Sequence, residues 1–375
     1  MITRRDYLKQ ASLAGCCLAV SGMRMFAAEP DADISGKGSL KEHGQKRGIM
    51  AGCAVGARQL HDEAFQRLIA EQYDLVVSEN SMKFGPLSPK PGEYNWTDAD
   101  ALVDFAEKHK MKVRGHNFVW HSQLPVWFKT TANKDNAKKI MVDHINTVAG
   151  HFKGKIQSWD VVNEAIKVDD DMPDGLRKSP WYELIGPEYL DIAYHTARKA
   201  DPKAKLTYNE YGIENDSEDD SKKRAATLAL LKRFKQNGTP IDALGIQSHI
   251  HASTGETYGK GMRELISGAQ DLGLEVYLTE FDVNDDGVAE DDPAARDRAV
   301  AAVYTDYLNI ALENKAVKAV LTWGVSDKDT WLNGMREHGK KHPNRRERPL
   351  PFDNDLKPVA PFYALRDAFD KAPHR

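Results

Sequence analysis

Short apolar or β-branched runs recur along the chain at 49–55, 75–78, 112–119, 156–163, 205–209, 243–249, 275–281 and 317–325. Between them, stretches such as 99–109, 221–237 and 297–313 carry apolar residues three and four apart, the spacing of one helical face. Strand-sized runs alternating with helix-sized ones predict repeated βα units, and so a parallel sheet covered by helices on both faces. The eight strand candidates suffice to close a (β/α)8 TIM barrel. An open doubly wound sheet would want a glycine-rich phosphate turn after its first strand, and 48–56 has glycines without the GxGxxG spacing. The α/β pattern therefore predicts one barrel domain over 39–375.

Residues 1–28 break this pattern. Thr3-Arg4-Arg5-Asp6-Tyr7-Leu8-Lys9 leads into the small, apolar segment Ala11 to Val20, which resembles a Tat-type signal peptide. Ala27 and Ala28 offer a cleavage point, while Leu13-Ala14-Gly15-Cys16 also resembles a lipobox, which would leave a lipid anchor. Both readings predict an exported protein, periplasmic or secreted. The polar, glycine-bearing stretch 29–38 reads as a flexible linker. Cys16 and Cys17 fall inside the signal, so cleavage after them leaves Cys53 alone and no internal disulfide. No second apolar run approaches membrane-spanning length.

Composition narrows the partners. A chain of 375 residues that is 41% hydrophobic can bury a full core. Its formal net charge of -4 provides no basic field for nucleic acid, whereas neutral or weakly acidic polysaccharide is compatible. Asp282-Val283-Asn284-Asp285-Asp286-Gly287 starts like a calcium loop, but its twelfth position is Pro293, so no EF-hand is expected. His249-Ile250-His251 could be a metal-binding HxH, yet the strand ends lack the Lys and Asp that would complete such a site. The expectation is a monomer using no metal or other cofactor.

Polar and aromatic residues gather where the predicted strands end, the face on which a barrel builds its active site. Glu79, Asn80 and Lys83 follow the second strand; His116, Trp120 and His121 end or follow the third; Asn163 and Glu164 close the fourth. Gln247 and His249 end the sixth, Glu280 and Asp282 the seventh, and Trp323 the eighth. Breaking a glycosidic bond needs one carboxylic acid to protonate the leaving oxygen and a second carboxylate to meet the anomeric carbon. Glu164 and Glu280 sit on strands facing each other across a closed barrel. Either glutamate alone could equally begin a helix or make a surface ion pair.

The surrounding residues favour the pair. Trp159-Asp160-Val161-Val162-Asn163-Glu164-Ala165 and Leu278-Thr279-Glu280-Phe281-Asp282 resemble the signature segments of glycoside hydrolase family 10. The run from Val113 to Pro125, Tyr208-Asn209-Glu210-Tyr211, Gly245-Ile246-Gln247-Ser248-His249 and Thr322-Trp323-Gly324-Val325-Ser326-Asp327 are similar to its other blocks, in the same order. The resemblance implies retaining endo-hydrolysis of β-1,4-xylan, with Glu164 as acid/base and Glu280 as nucleophile. It also implies that Asn163 binds the 2-hydroxyl at the cleavage point and that Asp282 and His249 hold Glu280 ionised. Glu79, Asn80, Lys83, His116, His121 and Gln247 then match positions that bind sugar hydroxyls. Trp120, Trp323 and Trp331 match aromatic floors, and Tyr211 a platform on the leaving-group side. A β-1,4-glucanase or mixed-specificity glycanase on the same barrel, or a non-catalytic glycan-binding protein, are the alternatives.

Two departures stand out. Ser81 and Phe84 occupy positions where the family more often has an acidic or small residue and a Trp, which puts the distal glycone subsite in question. The loop 335–348 concentrates Arg336, Lys340, Lys341, Arg345, Arg346 and Arg348. It reads as a solvated charged loop or as a contact for acidic branches on xylan.

Overall fold

A computed structural model describes residues 33–252, 255–334 and 340–375. The signal segment 1–28, residues 29–32 of the linker and Arg336 lie outside the described residues.

Eight parallel strands close into a barrel: β1 (Met50–Val55), β2 (Leu75–Ser78), β3 (Lys112–Val119), β4 (Ser158–Asn163), β5 (Lys205–Glu210), β6 (Ala243–Ile246), β7 (Glu275–Asn284) and β8 (Val317–Thr322). Each pairs with its successor, and β8 returns to β1 through Met50 opposite Ala319 and Cys53 opposite Thr322. The strands are buried along almost their whole length because both faces are covered. Successive side chains alternate between two cores, as the period of two requires. Leu75, Val77, Ala319 and Leu321 belong to a small cluster inside the barrel, whereas Val76 and Val320 pack outward into the large layer beneath the helices.

The helices begin earlier than apolar spacing foretold. Helix Glu218–Asn237 starts three residues before 221 because Ser217 caps it and Glu218, Asp219 and Asp220 fill its first turn. These acidic residues favour a helix N-terminus without showing an apolar stripe. Helix Pro293–Ala311 likewise starts ahead of 297, with Asp292 accepting from the N–H of Ala295 and proline in the first turn.

Two strand ends differ from expectation in ways that shape the site. The sixth strand stops at Ile246, and a separate short strand, His249–His251, resumes against β7 with His249 opposite Asp282. Ser248 between them has φ +66°, outside strand geometry. β7 runs on to Asn284 to meet this short strand. The linker reading also shifts: within 33–38, Gln72 donates to the carbonyl of Ile34 at 2.9 Å and Glu71 accepts from the N–H of Gly36 at 2.5 Å. Side chains thirty-odd residues away hold this stretch, and its own composition carries no sign of that.

Candidate active site

The C-terminal mouth of the barrel is a cleft of about 550 Å³, and fourteen of the fifteen predicted site residues line it. The loop after β2 gives Glu79, Asn80 and Lys83; β3 gives His116 and, just beyond its end, Trp120. Asn163 is the last residue of β4 and Glu164 follows it; Tyr211 follows β5, and Gln247 and His249 flank the break after β6. Glu280 and Asp282 lie on β7, Trp323 after β8, and Trp331 further along that loop.

His121 is the exception. It lines a separate hollow with Phe128 and Pro180 and reaches the acid site only from behind, its Nδ1 3.7 Å from Glu164 Oε2. Trp120 lines the cleft, whereas the His121 ring lies in that neighbouring hollow beside Glu164.

Glu164 is held by neutral donors. Trp120 Nε1 donates to its Oε2 at 2.8 Å, and Gln247 Nε2 and Asn163 Nδ2 donate to its Oε1 at 3.0 and 3.1 Å. Burial, the charge of Glu210 and, further down, that of Glu280 push its carboxyl above the ordinary range, against the Gln247 and Trp120 bonds. A raised pKa keeps a proton available for donation.

Glu280 is held by charge. Its Oε2 lies 3.2 Å from His249 Nε2, whose Nδ1 lies 2.8 Å from Asp282; Trp331 Nε1 secures the far oxygen of Asp282 at 2.7 Å. Burial opposes protonation of His249, but Asp282 and Glu280 together hold its pKa well above 6.5, so both ring nitrogens donate. Burial would also raise Glu280; the bond from His249 and the nearby His116, His249 and Arg114 side chains outweigh it and hold the carboxyl at about 2. The mouth thus contains one carboxyl biased to its acid form and one fixed as an anion.

Sequence reading passed over Asn209, which links the two. Its Nδ2 donates to Glu280 Oε1 at 2.8 Å and to Asn163 Oδ1 at 2.9 Å, while its Oδ1 accepts from Thr279 Oγ1 at 2.7 Å. Because Asn163 Oδ1 is occupied, its NH2 group is turned toward Glu164 and the cleft, as a donor to a sugar hydroxyl must be. A Cβ on Gly245 would sit 2.3 Å from Asn209 Oδ1, so glycine there makes room for the amide. Asn209 and Glu210 both lie in the block Tyr208–Tyr211; the polar pair closing the strand was the available signal.

The remaining residues form the walls. Lys83 is buried, donates to Asn80 at 3.1 Å and lies 5.1 Å from the Trp120 ring, with Asn80 in turn bonded to Glu79. His116 is fixed by Asp160 at 2.7 Å, and Asp160 also pairs with buried Arg114 inside the barrel. Trp323 meets His116 edge-on, with ring centroids 5.5 Å apart. Tyr211 is 38% exposed on the far side, its hydroxyl held by Arg177 and one face covered by Lys223.

Ser81, Phe84 and several cations of the loop have structural partners. Phe84 is a core residue, packed on His144, Trp127, Phe128 and Trp181, and Ser81 bonds Ser78. In the basic loop, Arg345 donates to the carbonyls of Asp285, Val288 and Glu290, and Arg346 to that of Lys328. Arg348 grips Asp297 with two bonds of 2.6 and 2.8 Å, and Lys340 reaches the carbonyl of Leu332. Lys340, Arg345 and Arg348 are thereby tied down within the loop, whereas Arg346 and Lys341 remain exposed. The HxH pair divides too, with His249 facing Glu280 and Asp282 and His251 bonded to Glu256.

Comparison with known proteins agrees with this geometry. The model of the family described as "Glycosyl hydrolase family 10" matches residues 39–368. A β-1,4-xylanase of Dictyoglomus thermophilum is 36% identical over 87% of this chain and 90% of its own length. Endo-1,4-β-xylanase 2 of Claviceps purpurea is 34% identical over 87% and 88%. The crystal structure of native xylanase 10B from Thermotoga maritima superposes with a TM-score of 0.79 at 34% identity, covering 89% of this chain and 98% of that one. The chain belongs to glycosyl hydrolase family 10.

Proposed function

We propose that the protein is an endo-1,4-β-xylanase that cleaves xylan with retention of configuration, Glu280 serving as nucleophile and Glu164 as acid/base. The observation that carries this reading is the opposite treatment of the two carboxyls, one raised by burial and Glu210, the other held near 2 by His249. Glu280 attacks the anomeric carbon while Glu164 gives its proton to the departing oxygen, leaving a glycosyl ester on Glu280. Glu164, now ionised, takes a proton from water as that water attacks the same carbon. The ester bond breaks, and two displacements restore the starting configuration. Asn163 presents its amide to the 2-hydroxyl, where hydrogen bonding strengthens as charge develops.

The xylan assignment draws on the xylanase relatives. A cleft running from Glu79 and Asn80 past the acid pair to Tyr211 suits cutting within a chain. Export rests on the twin-arginine run and the segment Ala11 to Val20, and Arg4→Lys with Arg5→Lys should trap the protein inside the cell. Proton NMR of fresh products, with xylan and β-glucan assayed in parallel, tests the function. Retained xylo-oligosaccharides are expected; an inverted product would overturn the nucleophile assignment, and preferred glucan cleavage the substrate.

A further inference from the structure

Four residues past β5 lies a buried carboxylate that touches neither catalytic glutamate. Glu214 is 3% exposed; its Oε1 accepts the N–H of Ser248 at 2.9 Å and its Oε2 that of Ile213 at 2.6 Å. Among the described residues no lysine, arginine or histidine forms an ion pair with it, and Lys223 on the nearby helix is committed to Glu210 at 2.8 Å. Ser248 is fully buried with φ +66°, a conformation that non-glycine residues hold only when their surroundings fix it. Its hydroxyl contacts the carbonyl of Ile246 at 3.1 Å and the hydroxyl of Tyr307 at 2.7 Å.

The turn matters because of its neighbours. Gln247 donates to Glu164 Oε1 at 3.0 Å, and His249 Nε2 faces Glu280 Oε2 at 3.2 Å. The register also depends on it. Ile246 pairs with Leu278 and His249 with Asp282, so three steps on one strand face four on the other. Without the break at Ser248, His249 would oppose Phe281 and lose Asp282.

We propose that Glu214 is a positioning residue for both catalytic glutamates, its Oε1 holding the left-handed turn that carries Gln247 to Glu164 and His249 to Glu280 while the N–H of Ile213 fixes its Oε2. Two backbone N–H groups converge on it, and a carboxylate offers an acceptor to each. A glutamine offers one oxygen and turns its NH2 against the second N–H. Burial lifts Glu214 to about 7 despite these bonds, so an amide there forfeits an acceptor rather than a strongly favoured charge. The titratable groups facing it are Asp220 and Lys223 on helix Glu218–Asn237, Tyr307 on helix Pro293–Ala311, and Tyr258.

Glu214→Gln tests the role through the pH profile of kcat/KM. The bond from Gln247 lowers the pKa of Glu164, and that from His249 lowers the pKa of Glu280. Weakening both moves the alkaline and acidic limbs upward together, by about one pH unit, the worth of one charge-assisted bond. The other groups acting on the pair, Glu210, His116, Arg114 and Lys83, stay in place. At the wild-type optimum kcat falls roughly tenfold with little change in KM. A merely structural role lowers the yield of folded enzyme and leaves the bell where it was. Tyr307→Phe, which removes only the second anchor of Ser248, is measured alongside and should move both limbs the same way by less. If Glu214→Gln folds and its bell is unmoved, the proposal fails; if it does not fold, an unmoved bell in Tyr307→Phe overturns it. The inference rests on the roles given to Glu164 and Glu280, and Glu280→Ala serves as the control. Turnover surviving in that variant would sink those roles, whereas a dead control beside an unmoved bell sinks only the part played by Glu214.

Discussion

Asn209 is the residue whose removal most directly tests how the nucleophile is kept ready. In Asn209→Ala, Glu280 Oε1 loses its 2.8 Å donor and Asn163 loses the partner that fixes its amide. Little else changes. Thr279 keeps its bond to the carbonyl of Ile246, and the Glu164 N–H still reaches the carbonyl of residue 209. A hydrogen bond to an ionised group contributes about 1.5–3 kcal/mol, which corresponds to roughly 10- to 150-fold in kcat/KM. The effect has a sign in pH as well. Glu280 must be ionised to attack, and its carboxyl is held at about 2 against an ordinary 4.5. A lost donor weakens only the anion, so the acidic limb of kcat/KM moves up toward 4.5. The assay is initial-rate kinetics on an aryl xyloside with a good leaving group, where protonation by Glu164 matters little. An Asn209→Ala enzyme within about threefold of wild type, its acidic limb in place, would refute the idea that this amide holds the nucleophile.

Further outcomes separate the remaining roles. Glu164→Ala should cut xylan hydrolysis by about 100-fold or more yet largely spare activated aryl glycosides, because a good leaving group needs no proton; equal losses on both would argue against Glu164 as the acid. Arg348→Ala strands the buried Asp297 and should cost about 3 kcal/mol in a denaturant melt without changing the ratio of activity on acidic and unbranched xylan. A changed ratio would return the loop to substrate binding. Because the Glu280 carboxyl sits below its unfolded value of 4.5, its contribution to stability is present above that pH and fades as the pH falls toward 2. Glu280→Gln should therefore flatten the acid side of the stability curve, and an unchanged slope between pH 4.5 and 2 would count against the strong pairing with His249.

The barrel was legible because short apolar or β-branched runs alternate eight times with helix-sized stretches, and that alternation leaves few architectures. Strand ends were less so. The stop at Ile246 depends on a left-handed serine held by a glutamate thirty-four positions earlier, and no local propensity marks Ser248 for that conformation. The site list suffered in the same way. Aromatic and charged residues at strand ends were found, whereas Asn209, which acts through the orientation of another amide, was passed over. His121 was included because it matches a family position, and the sequence carries no sign that its ring lies in the hollow beside Glu164. The basic loop stayed ambiguous because a count of cations cannot tell a side chain in solvent from one capping carbonyl groups.

What gives the two glutamates different tasks is the charge on their donors. Both are shielded from water, and both accept from side chains reaching in from neighbouring strands. The donors to Glu164 are an indole and two amides, all neutral, so burial and the nearby Glu210 decide its protonation. Glu280 also accepts from an amide, but its second partner is an imidazole kept positive by Asp282. A neutral donor favours the anion modestly, whereas a cation inside the same wall favours it far more, because low polarity strengthens the attraction. A histidine presented by a three-residue strand after an unusual turn, with His116 and Arg114 nearby, thus helps make an acid and a nucleophile from two chemically identical side chains.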